Sequence, residues 1–399
     1  MQWKYPQGGM AIPGNVTRSM IEWRARRIAD PVERLRFLRH ACAFHRERKR
    51  WYRRGAAFVT AGLVWLLAPV STITKATSLW MQPPPSMSGE TVVKPAHPSA
   101  LEPSRIWLVE KKDDFEVYSN GLRIETRGWQ THSPRRYQPL DRAHPESWGG
   151  NDSLDVAPRS DPAGIVFHTT ESDLAPFDAL HNKSLKQLGQ GILSYVRHNK
   201  SYHYLVDRFG RVYRVVEEAS IANHAGHSVW ADRKSVYVNL NQSFLGVAFE
   251  AQTRPQDGAE TINEAQLHAG RVLTDMLRGK YHIPAENCVT HAQVSVNPDN
   301  FRIGAHTDWA THFPFADMGL PDNYATPVPS MTVFGFSYDS TFVSVSEARL
   351  WKGLLLAQEE VRQEASVKGM PLRVYRSVLH RKFRQLVVAP RARKKEENS

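Results

Sequence analysis

Three places between residues 160 and 320 bring together residue types that could do chemistry. His168 ends the apolar run GIVFHTTES, His291 lies in CVTHAQVS, and Ala305-His306-Thr307-Asp308-Trp309 form a third cluster. A catalytic zinc takes three protein ligands, typically histidines with a carboxylate, and keeps a fourth position open for water. His168, His291 and Asp308 would supply that set from three separate strand or loop ends. Such an ion lowers the pKa of water towards about 7 and polarises a carbonyl, which are the two requirements of amide hydrolysis. With 17 histidines in the chain, no single one carries weight alone. Their order and surroundings do.

These side chains need a frame. Ile165–Phe167 reads as a short buried strand and Leu180–His198 as a helix. Tyr202–Val206 and Arg211–Val216 read as strands meeting around Phe209-Gly210, Leu245–Glu250 as another strand, and Asn263–Leu277 as an amphipathic helix. Upstream, Asn120-Gly121 between two alternating runs in Phe115–Thr126 predicts a type I′ hairpin. Strands interleaved with helices predict an α/β fold, a central mixed β-sheet flanked by helices. Past Pro327 the pattern changes. Met331–Phe336 reads as a strand, Ser344 and Glu347 as a capping box opening a helix from Glu347 to Val367, and Leu372–Val388 as a basic amphipathic segment. These make an α-rich C-terminal extension that could pack on the main domain, bind a partner or touch an anionic surface.

The segments GIVFHTTES, SYHYLVDRFGRVYRVVEE, IANHAGHS, FLGVAFE and VTHAQVS, followed by HTDW, fall in order over roughly residues 160–318. In this order they resemble the type 2 N-acetylmuramoyl-L-alanine amidase family, whose fold is shared with bacteriophage T7 lysozyme and the peptidoglycan recognition proteins. The resemblance implies that His168, His291 and Asp308 hold zinc. Asp308 is the least regular match, because NPDNFR is an apparent insertion between it and His291. Where the family has a lysine two residues before the last ligand, this chain has His306, which can donate a weaker, more pH-dependent hydrogen bond to an oxyanion. Tyr202 matches the tyrosine that some members use, and the glutamate used by others is replaced by Ala248.

Glu250 lies two residues further along the same strand, so it shares a face with Ala248 and is a candidate general base or a satisfied structural carboxylate. His224, in the HAG signature, matches a residue lining the family's substrate groove, with a structural role as the alternative. Trp309 and Trp230 could floor a groove for sugar or peptide, although packing is the default for tryptophan. The loop-forming Gly226 argues against reading His224 and His227 as a helical ligand pair, and His203, His282 and His312 read as structural.

Outside this region the chain carries other signals. Gly55–Thr74 contains no charged residue, and its twenty residues would extend about 30 Å as a helix, the thickness of a bilayer core. Arg46, Arg48, Lys49, Arg50, Arg53 and Arg54 precede it, so the positive-inside rule places residues 1–54 in the cytoplasm and the rest outside, with a single inner-membrane span at 55–74. An overlong signal peptide, or a buried helix kinked by Pro69, are the competing readings. The Pro/Ser-rich residues 75–105 form a linker, 106–325 the amidase domain and 326–399 the extension. The net charge of +12 resides largely in residues 18–54 and 373–395 and says little about the centre, and no nucleic acid is expected as partner. With only two cysteines, Cys42 and Cys288, on opposite sides of the span, no disulfide is expected and a cysteine-rich zinc site is excluded.

The function implied is zinc-dependent cleavage of the bond between N-acetylmuramic acid and L-alanine in peptidoglycan or muropeptides. Tyr202 and His306 would face the oxyanion, and Glu250 or a ligand carboxylate would move the proton. The rival readings are a non-catalytic peptidoglycan-binding module and a membrane-anchored scaffold acting through its basic ends.

Overall fold

The apolar runs that carry the candidate ligands lie in one eight-stranded sheet among the described residues. The computed structural model of the protein describes residues 105–148, 157–254, 261–347 and 349–396, all within one compact unit, Val93–Ser399. The basic tail 1–54, the span 55–74 and Cys42 lie outside the described residues. No helix among the described residues is long and apolar enough to cross a membrane.

Eight strands make the sheet: β1 (Leu108–Lys111), β2 (Phe115–Tyr118), β3 (Arg123–Glu125), β4 (Gly164–Thr169), β5 (Tyr204–Val206), β6 (Val212–Arg214), β7 (Phe244–Phe249) and β8 (Cys288–Thr290). Their spatial order is β1-β2-β3-β6-β5-β7-β4-β8. The chemistry sits in its parallel half, where β7 runs parallel to both β4 and β5 and β8 runs parallel to β4. Every residue of β4 and β7 is buried, as expected of strands covered on both faces.

Two helices provide that cover. α1 (Asn182–His198) packs Val196, Ile192 and Leu193 on Leu205, Val215 and Ala248. α2 (Glu264–Tyr281) packs Leu273, Met276 and Leu277 on the opposite face, against Phe167, Val247 and Phe249. α2 opens on a capping box, with Asn263 accepting from the Gln266 N–H at 2.9 Å, and ends at His282 in the left-handed conformation. Both helices match the sequence expectation, with α2 four residues longer at its end.

Three expectations are corrected. Among the turn residues Asn120 and Gly121 only Gly121 has positive φ, so the β2–β3 turn is not type I′. Asn120 instead accepts the Leu122 N–H and reaches the Val272 carbonyl of α2. The run Met331–Phe336 is not a strand: α3 (Pro329–Phe334) begins on a proline and stops at left-handed Gly335, the two helix-end signals overriding its β-branched composition. Ser344 and Glu347 form no capping box. Ser344 lies inside a short helix, Ser340–Val345, capped by Asp339, and Glu347 is left-handed. α4 (Lys352–Val367) starts only after Trp351, whose ring stacks on Tyr324 at 4.1 Å.

The extension shares the main core. Phe334, Phe336, Phe342, Trp351, Leu354 and Phe383 belong to the same apolar cluster as Phe167 and Phe249. The insertion NPDNFR makes the turn of a two-stranded ribbon, Val296–Asn297 with Arg302–Ile303. At its tip Phe301 is sandwiched by His380 at 3.9 Å and the Arg384 guanidinium at 4.8 Å, both from α5 (Leu372–Glu396). The extra residues before Asp308 are therefore the place where the extension docks.

Candidate metal centre

Strand register brings the first two imidazoles together. β8 lies beside β4 with Thr290 opposite Phe167, so the next residue of each strand, His291 and His168, emerge side by side. Their rings are 4.5 Å apart. Thr290 caps the short turn that carries His291, in a capping box with Gln293. Asp308 arrives from the irregular loop that follows the inserted ribbon. All three residues are buried, and each offers a ligand atom within 4.8 Å of the others. Asp308 Oδ2 lies 3.0 Å from Nδ1 of His168 and 3.0 Å from Nδ1 of His291. Around a tetrahedral zinc with bonds of about 2.0–2.1 Å, ligand atoms stand roughly 3.3 Å apart, so this spacing suits a shared ion.

Proton accounting supports a cation more strongly than spacing does. His224 Nε2 lies 3.2 Å from the Phe244 carbonyl, which can only accept, so this nitrogen carries a proton. Burial and neighbouring His168 hold His224 well below the usual histidine pKa, so it is neutral and its Nδ1 is bare. That bare nitrogen is 3.2 Å from His168 Nε2, which must be the donor. His168 is itself neutral, its pKa pushed down to about 4 chiefly by burial and by His291, which outweigh the Asp308 carboxylate. Its Nδ1 is therefore a bare lone pair facing a carboxylate oxygen at 3.0 Å. Burial alone would raise Asp308, yet the neighbouring His291 and the contacts with both imidazoles hold its pKa well below the usual carboxylate range. Two lone pairs so placed repel unless a cation lies between them. The donor set fits a divalent metal.

The structure places the other predicted residues as follows. Tyr202, left-handed at φ 62°, leaves its strand and sets its ring 4.9 Å from His168. Burial and the Asp308 charge raise its pKa, so the hydroxyl keeps its proton. His306 is exposed and stacks on His291 at 4.6 Å, with burial and His291 lowering its pKa. Glu250 is drawn elsewhere: its carboxylate accepts the Arg208 N–H at 3.2 Å, faces Gly189 of α1, and makes no hydrogen bond to His168, His291 or Asp308. Burial raises its pKa above the usual carboxylate value.

His224 is buried and touches a ligand, so it is a positioning residue rather than an exposed groove wall. Its loop is gathered by Asn241, whose Oδ1 accepts the N–H groups of His224, Ala225 and Gly226. It also needs Gly246 beneath it, where a Cβ would sit 2.6 Å from the His224 ring. Trp309 does not floor a groove. It is 1% exposed and packs edge-on against Phe249 and Phe313 in the core. Trp230 is buried as well and donates to Asn287. Asn241 was not singled out from the sequence, because nothing local marks an asparagine that binds backbone fifteen or more residues away.

A mixed sheet with helices on both faces and two imidazoles and a carboxylate converging at the ends of its parallel strands defines an α/β domain with a candidate metal site. The family model described as N-acetylmuramoyl-L-alanine amidase matches residues 158–310. Among solved structures, AmpDh3 from Pseudomonas aeruginosa in complex with anhydromuramic pentapeptide is 22% identical, covering 39% of this chain and 58% of its own, with a TM-score of 0.29. AmiD from E. coli, in complex with anhydro-N-acetylmuramic acid-L-Ala-D-gamma-Glu-L-Lys, is 20% identical, covering 50% and 90%, at 0.32. Drosophila peptidoglycan recognition protein SD is 18% identical, covering 44% and 85%, at 0.26. The chain thus spans little more than half of the Pseudomonas protein, and the family assignment rests on the sequence model. No curated protein sequence matches the chain.

Proposed function

We propose that the protein is a zinc-dependent N-acetylmuramoyl-L-alanine amidase acting on peptidoglycan or muropeptides. The observation that carries this reading is the buried convergence of His168, His291 and Asp308, with Nδ1 of each imidazole 3.0 Å from the Asp308 carboxylate. Zinc held by His168, His291 and Asp308 would supply Lewis acidity towards a carbonyl oxygen and towards water.

The remaining steps belong to the chain. The protonated Tyr202 hydroxyl, beside His168, donates a hydrogen bond to the oxyanion that develops when the lactyl carbonyl is attacked. His306, at the solvent edge and neutral near pH 7, is a second donor in place of the family's lysine. Both are preorganised, Tyr202 by its left-handed backbone and His306 by its stack on His291.

A binding module without catalysis is the second reading. It is favoured by the unusual loop before Asp308 and by His306 standing where the family has a lysine. The complete ligand set weighs against it. The uncharged run 55–74 and its basic flank support an inner-membrane anchor with the domain outside, which membrane fractionation with protease protection would test.

The direct test is mass analysis of muropeptides incubated with the protein, with and without a chelator. Free stem peptides beginning with L-alanine, abolished by chelator and restored by zinc, are expected. Intact muropeptides in the presence of stoichiometric zinc would discard the hydrolase reading.

A further inference from the structure

The carboxylate ligand comes from a loop with no strand to hold it. The Asp308 backbone carbonyl accepts the Ala292 N–H at 3.2 Å, and a further support is a second carboxylate that is not a ligand. The Trp309 backbone N–H, one residue beyond Asp308, donates to Thr253 Oγ1 at 2.9 Å. Thr253 Oγ1 is 3.0 Å from Thr169 Oγ1, and Thr169 Oγ1 donates to Glu171 Oε1 at 2.6 Å. The Thr253 backbone N–H donates to the same Glu171 oxygen at 2.7 Å.

Donor counting fixes the direction of this chain. Each hydroxyl has one proton. Thr169 gives its proton to the carboxylate, so the contact between the two threonines is filled by the Thr253 proton. Every link then points the same way, from Trp309 N–H through Thr253 and Thr169 to the charge on Glu171. Hydrogen bonds aligned in this manner polarise one another, and the terminal charge strengthens each.

Both ends of the chain lie on strained backbone. Glu171 at φ 50° and Trp309 at φ 65° are left-handed without being glycine. Such conformations persist where surrounding contacts over-determine them. Thr169 and Thr253 are buried, whereas Glu171 reaches in from the exposed loop after β4. The strand that carries His168 therefore also anchors, through Thr169 and Glu171, the loop that carries Asp308.

We propose that Glu171, through Thr169 and Thr253, is a positioning residue that sets the Asp308 carboxylate and thereby the metal affinity of the site. This rests on the reading of His168, His291 and Asp308 as metal ligands. Second-layer partners of this kind typically change metal affinity by about 10–100-fold.

The test is chelator competition for zinc on the full chain, comparing the parent with Glu171→Gln, Thr253→Val and Thr253→Ser. Thr253→Val removes the acceptor for Trp309 and the donor to Thr169, and is expected to weaken zinc binding by about 10–100-fold. Thr253→Ser keeps the hydroxyl and should restore most of that affinity. Glu171→Gln, which keeps the shape but removes the charge, should fall between them. Thermal unfolding of the metal-free proteins separates this from general damage, since a merely structural role would lower the melting temperature and leave zinc affinity as it was. Folded Thr253→Val and Glu171→Gln proteins that bind zinc as tightly as the parent would overturn the proposal. A parent that binds no zinc would overturn the underlying ligand assignment instead.

Discussion

The two imidazoles and the carboxylate reach one point by different means. His168 and His291 leave the ends of adjacent parallel strands, where register alone brings them side by side. His168 is further fixed by His224, itself gathered in by Asn241 and seated on Gly246. Asp308 lies on no strand, although its carbonyl accepts the Ala292 N–H beside His291 at 3.2 Å. Its loop follows an inserted ribbon whose tip, Phe301, is gripped by α5, and its next residue is tied to Thr253. One half of the site is thus built from the sheet and the other from a loop held by tertiary contacts.

The largest expected effect breaks the loop-borne half. Phe301 is buried and ringed by Phe336, His380 and Phe383, so Phe301→Ala should cost about 3–5 kcal/mol. Denaturant unfolding measures that loss, and zinc competition on the still-folded variant should show weakened binding. Unchanged affinity would mean the loop is held without the ribbon.

The strand-borne half is sharpened by His224→Leu. The substitution removes the acceptor for His168 Nε2–H and should weaken zinc binding by about 10–100-fold, read by chelator competition. Stability should change less than in Phe301→Ala, because the register of β4 and β8 is untouched.

The strand-borne half also carries a pH dependence. His168 is lowered from 6.5 to about 4 in the folded chain, so between these values the unfolded state binds more protons. Stability of the metal-free protein should therefore rise as pH increases from about 4 to 6.5 and be lost as pH falls through that window. Zinc binding should fall in the same direction, since protonated imidazole is no ligand. Denaturant titrations at several pH values check the slope, and a flat profile would place the proton elsewhere.

The same contrast explains what the sequence revealed. The strand GIVFHT, the strand FLGVAF and the helix after Asn263 were legible because period, apolar content and capping are local signals, and the histidine at each strand end follows from them. The convergence of Asp308 was legible only through family resemblance, since its support runs through Thr253, Glu171 and Phe301, none of which is marked by a local pattern. Trp309 illustrates the limit. Its place beside a ligand suggested a groove, but backbone strain turns the ring into the core. The helix at Pro329–Phe334 was hidden by β-branched residues, although its proline start and glycine stop were present.

Metal analysis of the purified chain beside Asp308→Ala tests the central claim most directly. One zinc per parent chain and none retained by the variant is the result the convergence of His168, His291 and Asp308 requires. A metal-free parent, or a variant that keeps its zinc, would contradict it.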